Sequence, residues 1–357
     1  QKGVEALSLT NAGQASATWE ASLVETERSR SRSRDLNALV SALNKRQPEF
    51  NQPGLPVDQG SSASSEKSTE AAYRILGGNS NSAIEVAILG ANFSDKNKDV
   101  ALGLAETKRF AGITVIDVKS VTPTAKELLA FDTVLVYSNY SYKDSNKLGD
   151  SVTEFAKAGG GVVTMAFENL LFNGSEKWSL GGQWKKEGHA VFNQAKSFVA
   201  TSSTMGDKLM PSHPLLKDVN SFSGKYRISH NQAAKGAEVV AKWKDGKPLV
   251  TFKATPFPVV GLNFYPVSKR KSMNGWDTKT DGWKLMANAL EWSANGSLPN
   301  WIESDTLAGS IKGNGTSQAK LSFDATDLSE GNYSAEFRVS SNDPAKPYQT
   351  VAVKLIV

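Results

Sequence analysis

The chain has 357 residues, with 41 lysines and arginines against 36 aspartates and glutamates, and it contains no cysteine. The absence of cysteine excludes disulfides, thiolate metal sites and a cysteine nucleophile. The net charge of +5 is small, so we do not expect nucleic-acid binding. No apolar run approaches the roughly 18 residues that a membrane span needs. Because the chain begins with Gln1, we expect a mature or excised piece of a longer protein.

The first residues have the alternating pattern of β-strands. Apolar residues alternate at Leu7 and Leu9, and again from Ala17 to Leu23, with turn residues at 11–13 between them. This pattern predicts a hairpin. Since two strands alone are not stable in water, the hairpin needs partners from elsewhere in the chain.

The next part of the chain is predicted to be a linker with a short helix. The Ser/Arg run at 28–34 and the Gln-, Pro-, Gly- and Ser-rich stretch at 47–69 are typical of linkers, although the arginines could also bind polyanions. Between them, Asp35 is placed to cap an amphipathic helix. Its apolar face would be Leu36, Leu39, Val40 and Leu43. One or two helical turns are expected at 71–76.

From residue 84 the pattern becomes that of an α/β domain. Strands are predicted at 84–89, 113–118, 133–137, 162–167, 238–243, 249–252 and 259–264, and helices at 99–110, 124–131, 148–158 and 282–292. Because strands and helices alternate, we predict a parallel sheet with right-handed crossovers.

The last part of the chain returns to alternating strands separated by turn signals. It holds about four or five strands, which together with the two at the start would complete a β-sandwich. We therefore predict one discontinuous sandwich from residues 1–24 and 298–357. Residues 25–81 would be the linker, and residues 82–297 the α/β domain.

Two segments carry a resemblance to a known repeat. Leu321–Pro344 (LSFDATDLSEGNYSAEFRVSSNDP) resembles immunoglobulin-like repeats of large secreted bacterial proteins, and Leu9–Leu23 (LTNAGQASATWEASL) resembles the opening of the same repeat. In that family a Trp-Leu or Trp-Ile step soon follows, whereas here Trp301-Ile302 comes about 280 residues later. The resemblance implies one repeat split by an insertion, in a secreted or cell-surface protein. Such repeats often follow catalytic domains, including subtilisin-like peptidases, so other domains of the parent chain are expected partners.

The insertion resembles the class I glutamine-amidotransferase-like superfamily, including its trehalose-utilisation-like branch. The residues that carry this resemblance are Phe131–Ser141 (FDTVLVYSNYS), Ala158–Asn169 (AGGGVVTMAFEN) and Ser212-His213-Pro214. It implies a flavodoxin-like fold. In active members a cysteine lies on the sharp turn after the fourth strand, where this chain has Phe167 followed by Glu168. Because phenylalanine cannot be a nucleophile, the resemblance supports the fold and argues against the family's thiol chemistry.

Glu168 is the main candidate for a functional residue, since open parallel sheets bind ligands at the carboxyl ends of their strands. A general acid or base needs a partner within hydrogen-bond reach. The chain offers His189, His213 and His230. Glu168, His189 and His213 are therefore the candidate catalytic residues of a hydrolase, while each histidine is equally compatible with a structural role.

A ligand-binding alternative uses aromatic side chains. Trp184 and Trp276 lie beside glycines in predicted loops, where exposed rings could stack on a sugar or grip a peptide. Glu168 and Asn139 would complete the cleft. The other interpretation is that these tryptophans cover the core.

A calcium loop is suggested by Asp95, Asp99 and Glu106 but is disfavoured by Val100, because the sixth position of such a loop requires glycine. Asp99 is better explained as the N-cap of the following helix. We expect no metal site and no cofactor.

These observations favour a non-catalytic accessory or binding region of a secreted bacterial multidomain protein, with a glycan- or peptide-binding cleft on the α/β domain. Two alternatives stay open, namely a hydrolase using Glu168 and a histidine, and a structural adhesin or spacer segment.

Overall fold

The computed structural model describes residues 2–27, 35–46, 70–76, 84–229, 232–254, 256–295, 301–326, 332–343 and 348–357. The Ser/Arg run at 28–34 and the stretch at 47–69 therefore lie outside the described residues. The chain divides into two compact units. The β unit comprises Gln1–Ser33 and Asn295–Val357, and the α/β unit comprises Arg34–Ala294.

In chain order the elements are β1 (Lys2–Thr10), β2 (Ala17–Glu27), α1 (Leu36–Asn44), β3 (Ala72–Leu76), β4 (Glu85–Ala91), α2 (Ser94–Glu106), β5 (Gly112–Ile116), α3 (Ala125–Leu128), β6 (Thr133–Ser138), α4 (Ser145–Lys157), β7 (Gly161–Met165), α5 (Gly182–Lys186), β8 (Phe198–Val199), β9 (Ser203–Lys208), β10 (Ser223–Gly224), β11 (Arg227–Ile228), β12 (Glu238–Trp243), β13 (Pro248–Lys253), β14 (Val259–Leu262), α6 (Gly282–Asn295), β15 (Ile302–Ser304), β16 (Ala308–Ile311), β17 (Thr316–Asp324), β18 (Asn332–Ser341) and β19 (Tyr348–Ile356). None of the helices within the described ranges has the length and apolarity that a membrane crossing requires.

The β unit consists of two antiparallel sheets, a three-stranded one in the order β1-β17-β15 and a four-stranded one in the order β16-β2-β18-β19. Strands from both ends of the chain take part in each sheet. Their apolar faces meet in a core that includes Trp19 and Phe337 from one sheet and Leu321 from the other. The alternation of apolar residues along each strand explains this core, because successive side chains point to opposite faces.

The predicted hairpin of β1 and β2 is wrong, since these strands lie in different sheets. Strand β1 pairs with β17, whereas β2 pairs with β16 and β18. Asn11 holds the connection, because its side-chain amide donates to the carbonyls of Ala15 (2.7 Å) and Ile311 (3.0 Å). Placing the two strands in separate sheets lets both apolar faces contribute to one core.

A ten-stranded mixed sheet forms the centre of the α/β unit. Its middle strands β14-β7-β6-β4-β5 are parallel, and numbered along the chain they have the 2-1-3-4-5 order of flavodoxin-like folds. The flavodoxin-like prediction is confirmed at this level. The purely parallel sheet is not, because antiparallel strands extend both edges, with β3 beside β5 and β13 followed by β12, β9 and β10 beyond β14.

Two layers of helices cover the sheet. Alternate side chains of β4 divide between the layers: Ile88 joins a core cluster with α2 and α6, and Leu89 joins a second cluster with α1, α3 and α4. The near-continuous apolar sequence of these strands follows from this double burial. Helix α1 is confirmed, with Asp35 accepting a hydrogen bond from Ala38 N–H (2.8 Å). Since α1 contributes to the second core cluster, this part of the predicted linker is a packed part of the α/β unit.

Two further local predictions are wrong. Residues 72–76 form strand β3, paired antiparallel with β5, and not a helix, because alternation buries Ala72 in one core cluster while Tyr73 packs against the other. Helix α2 begins at Ser94 with Phe93 as its N-cap. Asp99 is therefore inside the helix, where it accepts hydrogen bonds from the backbone N–H (2.7 Å) and hydroxyl (3.1 Å) of Ser268.

Candidate functional site

The turn after β7 places Phe167 inside the protein. Its backbone N–H donates to the carbonyl of Ser138 (3.1 Å), which ties the turn to the end of the neighbouring strand β6. The side chain is fully buried. It lies against Phe198, Tyr226 and Tyr265, with ring-centroid distances of 5.5, 6.3 and 5.9 Å. At the position where the resemblance implies a nucleophile, the chain therefore has an apolar ring packed in an aromatic cluster.

The next residue, Glu168, is also buried, with 4% of its surface exposed. Its Oε1 accepts a hydrogen bond from the Leu180 backbone N–H at 3.2 Å. Burial raises the pKa of Glu168 to about 7, and the hydrogen bond from Leu180 opposes this change only in part. Near neutral pH the carboxyl group is therefore close to half protonated.

A cleft of about 270 Å³ adjoins this carboxyl group, and we call it the Glu168 cleft. It combines apolar, amide and cationic side chains. Its lining includes Glu168, Asn169, Trp184, Lys185, Lys235 and Lys253.

A second cleft of about 330 Å³, the His189 cleft, is lined by Glu187, His189, Phe257 and neighbouring residues, and shares Gly188, Lys235 and Lys253 with the first. His189 Nε2 lies 2.8 Å from Glu187 Oε2. Burial lowers the pKa of His189 below its usual range, although Glu187 opposes this. His189 and Glu168 thus line neighbouring clefts, and no hydrogen bond joins them.

His213 has a structural role. It caps a short 3₁₀ turn at 214–216, with Nδ1 accepting from the Leu215 N–H (3.2 Å). Its ring packs between Phe252 and Trp292, with centroid distances of 4.7 and 5.8 Å. His230 lies outside the described residues. Among the described residues, therefore, no histidine hydrogen-bonds Glu168, and the acid–base pair that a hydrolase would need is not assembled.

The expectation that Trp184 and Trp276 present exposed rings is wrong, because each is only 1% exposed. Trp276 Nε1 donates to the Pro266 carbonyl (2.9 Å), and the ring packs edge-on against Trp283. The glycines beside these tryptophans are positions of close approach, since a Cβ on Gly275 would lie 2.4 Å from the Ser268 carbonyl carbon and one on Gly181 would lie 2.2 Å from Asn146 Oδ1. Trp184 belongs to the second core cluster but also forms part of the wall of the Glu168 cleft.

Asn139 lies at the carboxyl end of β6 and is fully buried. Its backbone N–H donates to the Ala91 carbonyl (2.9 Å), and its side-chain amide is 3.4 Å from Asn92 Oδ1. Asn92 in turn donates to the Tyr265 hydroxyl (2.7 Å). Asn139 therefore belongs to a buried polar network at the edge of the sheet and lines neither cleft.

Sequence reasoning missed the lysines of the clefts. Lys235 lies in a connecting segment and Lys253 ends β13, and no spacing in the sequence links either one to Glu168. Only the antiparallel strands beyond β14 bring Lys253 close to the turn after β7.

The calcium hypothesis also fails on geometry, because Asp95, Asp99 and Glu106 all lie on the regular helix α2. Glu106 pairs with Arg270 at 2.8 Å. Across the parts of the chain that the structure describes, no three His, Asp or Glu side chains are grouped as metal ligands would be.

No family model matches the chain, and no curated protein matches it. Similar solved structures include a cytoplasmic protein of Salmonella typhimurium, with 15% identity and a TM-score of 0.42 over 59% of this chain and 99% of that one. A ThuA-like protein of Bacteroides uniformis has 14% identity and a TM-score of 0.38 over 59% and 91%. The glutaminase domain of Trypanosoma brucei CTPS with bound acivicin has 11% identity and a TM-score of 0.31 over 58% and 94%. At these identities and TM-scores, the similarities assign no activity to this chain.

Proposed function

We propose that this chain is a non-catalytic binding region of a secreted bacterial multidomain protein, and that its α/β unit binds a glycan or peptide ligand in the Glu168 cleft. One observation carries this proposal. An open cleft lies beside a turn in which a buried phenylalanine, Phe167, occupies the position where a nucleophile would be needed. The β unit would act as a spacer between this unit and other domains of the parent chain.

Among the residues that the structure describes, no catalytic set adjoins the cleft, and this supports binding over hydrolysis. A carboxyl group with a pKa near 7 is suited to acid–base work. Such work also needs a second group that attacks or activates water, and among the described residues Glu168 has neither a histidine nor a second carboxylate as a hydrogen-bond partner. Glu168 is therefore better explained as a binding group than as a catalyst.

The composition of the cleft also supports ligand binding. Ligand sites combine apolar walls with a few placed polar groups. Here Trp184, Leu180 and Phe192 supply apolar surface, whereas Asn193 and Lys235 supply polar groups that are exposed to solvent. This mixture suits a ligand that has both ring or chain surface and hydrogen-bonding groups.

Glycan and peptide arrays probed with the full chain would test the proposal. Asn193→Trp would place an indole at the mouth of the cleft, so we expect it to abolish binding. The matched control is Asn220→Trp, which makes the same substitution at an exposed position that lines neither cleft, and it should bind normally. Array binding that survives Asn193→Trp would contradict the site.

Two other outcomes would favour the rival functions. If no array component binds, the adhesin or spacer alternative gains and the binding proposal fails. If a bound ligand is cleaved on prolonged incubation and Glu168→Gln stops the cleavage, the chain is a hydrolase and the non-catalytic part of the proposal is wrong.

A further inference from the structure

We infer that the Glu168 cleft selects a sugar that carries a carboxylate, held by the ammonium groups of Lys235 and Lys253 with Glu168 as a hydrogen-bond donor. This inference rests on the proposed function, since it names the ligand class of the same cleft.

The charges around the cleft favour an anionic ligand. Three lysines line it, and Lys185 is already paired with Glu176. Of the described residues, the Lys253 ammonium hydrogen-bonds to one carbonyl alone, that of Gly188 at 2.8 Å. Within the described ranges, no carboxylate lies at salt-bridge distance from Lys235 or Lys253. An anion bound in the cleft would neutralise the positive charges of these two lysines.

The environment of Lys253 supports the same conclusion. This lysine is half-buried at the end of β13, in the wall that the two clefts share. Burial lowers the pKa of Lys253, and no neighbouring carboxylate restores it. A bound carboxylate would compensate this desolvated charge, and a charge-assisted contact of that kind is stronger than a neutral hydrogen bond.

Glu168 cancels these positive charges only in part at neutral pH, because burial raises its pKa to about 7. No other carboxyl group of a described residue lines this cleft, and Glu187 in the neighbouring cleft is paired with Lys157 and His189. When Glu168 is protonated it bears no charge and can donate a hydrogen bond to a ligand oxygen. The protonated cleft is therefore cationic and offers a donor beside the ammonium groups.

The walls favour a sugar over a peptide. Backbone groups along one wall are already paired, with Asn193 N–H donating to the Gln232 carbonyl (2.7 Å) and Ala234 N–H to the Val191 carbonyl (2.9 Å). A peptide could not add a strand there. The polar groups that line the cleft include the side-chain amides of Asn169 and Gln194, which can donate to and accept from sugar hydroxyls.

The inference predicts a pH dependence with a defined sign. Besides Glu168, the titratable groups that line the cleft are Lys185, Lys235 and Lys253. Tyr142 stays neutral, because burial and the charge of Glu168 raise its pKa. His189 and Glu187 face the neighbouring cleft. As pH rises through about 7, Glu168 ionises and repels a bound carboxylate. The dissociation constant should therefore increase about tenfold from pH 6 to pH 8.

Calorimetric titration of the full chain tests this inference. The probes are a uronate trisaccharide, its uncharged counterpart and a triglutamate peptide. We expect the uronate to bind best, and Lys235→Gln or Lys253→Met to weaken it about tenfold each. Lys253→Arg should retain binding because it keeps the charge. Lys217→Gln removes an exposed lysine that lines neither cleft and should have no effect. Glu168→Gln should bind the uronate equally at pH 6 and pH 8.

The possible failures are distinguishable. Equal affinity for the uncharged sugar, or preference for the peptide, would overturn the inference and leave the proposed function intact. The same holds if arrays find a ligand but none of the three probes binds. If neither the arrays nor the probes bind, the proposed function itself fails. A uronate affinity that is insensitive to both lysine substitutions, with all variants folded, would place the anion elsewhere.

Discussion

Two neighbouring residues of the turn after β7 have opposite surroundings. Phe167 belongs to the core cluster on the face of the sheet that α2 and α6 cover, where it meets three further aromatic rings. Glu168 accepts a hydrogen bond from Leu180 and lines a cleft whose wall includes Trp184 of the second core cluster. One backbone turn can therefore close one side of a sheet edge and leave the other side open. The residues that pack against each side determine whether that side is closed or open.

Of the substitutions considered, Phe167→Ala on the closed side of the turn should lower the free energy of unfolding the most. Removing a fully buried ring leaves a cavity within the aromatic cluster, so we expect the free energy of unfolding of the α/β unit to fall by about 4 kcal/mol. Urea denaturation of the variant and the parent measures this change. Ligand affinity of the folded variant should be unaltered, because Phe167 lines neither cleft. A loss below about 1 kcal/mol would show that the cluster is not tightly packed.

On the open side of the turn, Glu168→Gln tests how the ionisation of the buried carboxyl group affects stability. The folded-state pKa of Glu168 is raised from 4.5 to about 7, so the unfolded chain releases this proton more readily than the folded one. Stability associated with Glu168 is therefore complete below pH 4.5 and is lost as pH rises from 4.5 to 7. We expect Glu168→Gln to raise the free energy of unfolding by about 3 kcal/mol at pH 8 and to change it little at pH 4.5.

The measurement is urea denaturation at both pH values, with Glu238→Gln as a control because Glu238 is an exposed strand residue. A gain of the same size at both pH values would mean that packing, and not ionisation, causes it. No gain at pH 8 would mean that the carboxyl group is better hydrated than its burial implies.

Substitution of Trp184 or Trp276 by phenylalanine should have a smaller effect on stability. Trp276→Phe leaves the Pro266 carbonyl without its indole donor, so we expect a loss of about 2 kcal/mol. Trp184 Nε1 has no hydrogen-bond partner among the described residues, and Trp184→Phe should therefore cost about 1 kcal/mol less than Trp276→Phe. Thermal unfolding of both variants shows which substitution lowers the stability more. The reverse order would indicate that packing outweighs the hydrogen bond.

Much of the fold could be predicted from the sequence because its signals are local. The apolar runs of β4, β6 and β7 and the Asp35 cap of α1 each follow from a few consecutive residues. Predictions of elements that depend on pairing with distant strands are wrong at two places. Residues 72–76 form a strand only because β5 offers an edge for pairing, and β1 and β2 separate because partners far along the chain compete for them.

The candidate site could be predicted only in part, for the same reason. Glu168 was identified because it immediately follows a strand at the functional edge of an open sheet. Lys235 and Lys253 were not, because they reach the cleft through the antiparallel extension of the sheet, whose strand order has no local signature. The exposed positions predicted for Trp184 and Trp276 are wrong because neighbouring glycines indicate close packing as readily as they indicate loops. A Cβ on Gly275, for example, would lie 2.4 Å from the Ser268 carbonyl carbon.

The pairing of Lys2 with Asp324 has a consequence for biosynthesis. The first two strands leave the ribosome long before β17 and β18 exist, and the whole sheet-and-helix unit is translated in the interval. Unpaired strand edges are prone to associate with other chains, and contacts so distant in sequence form slowly. The N-terminal strands therefore lack their native partners while the α/β unit is translated, and during that interval their edges are open to association with other chains.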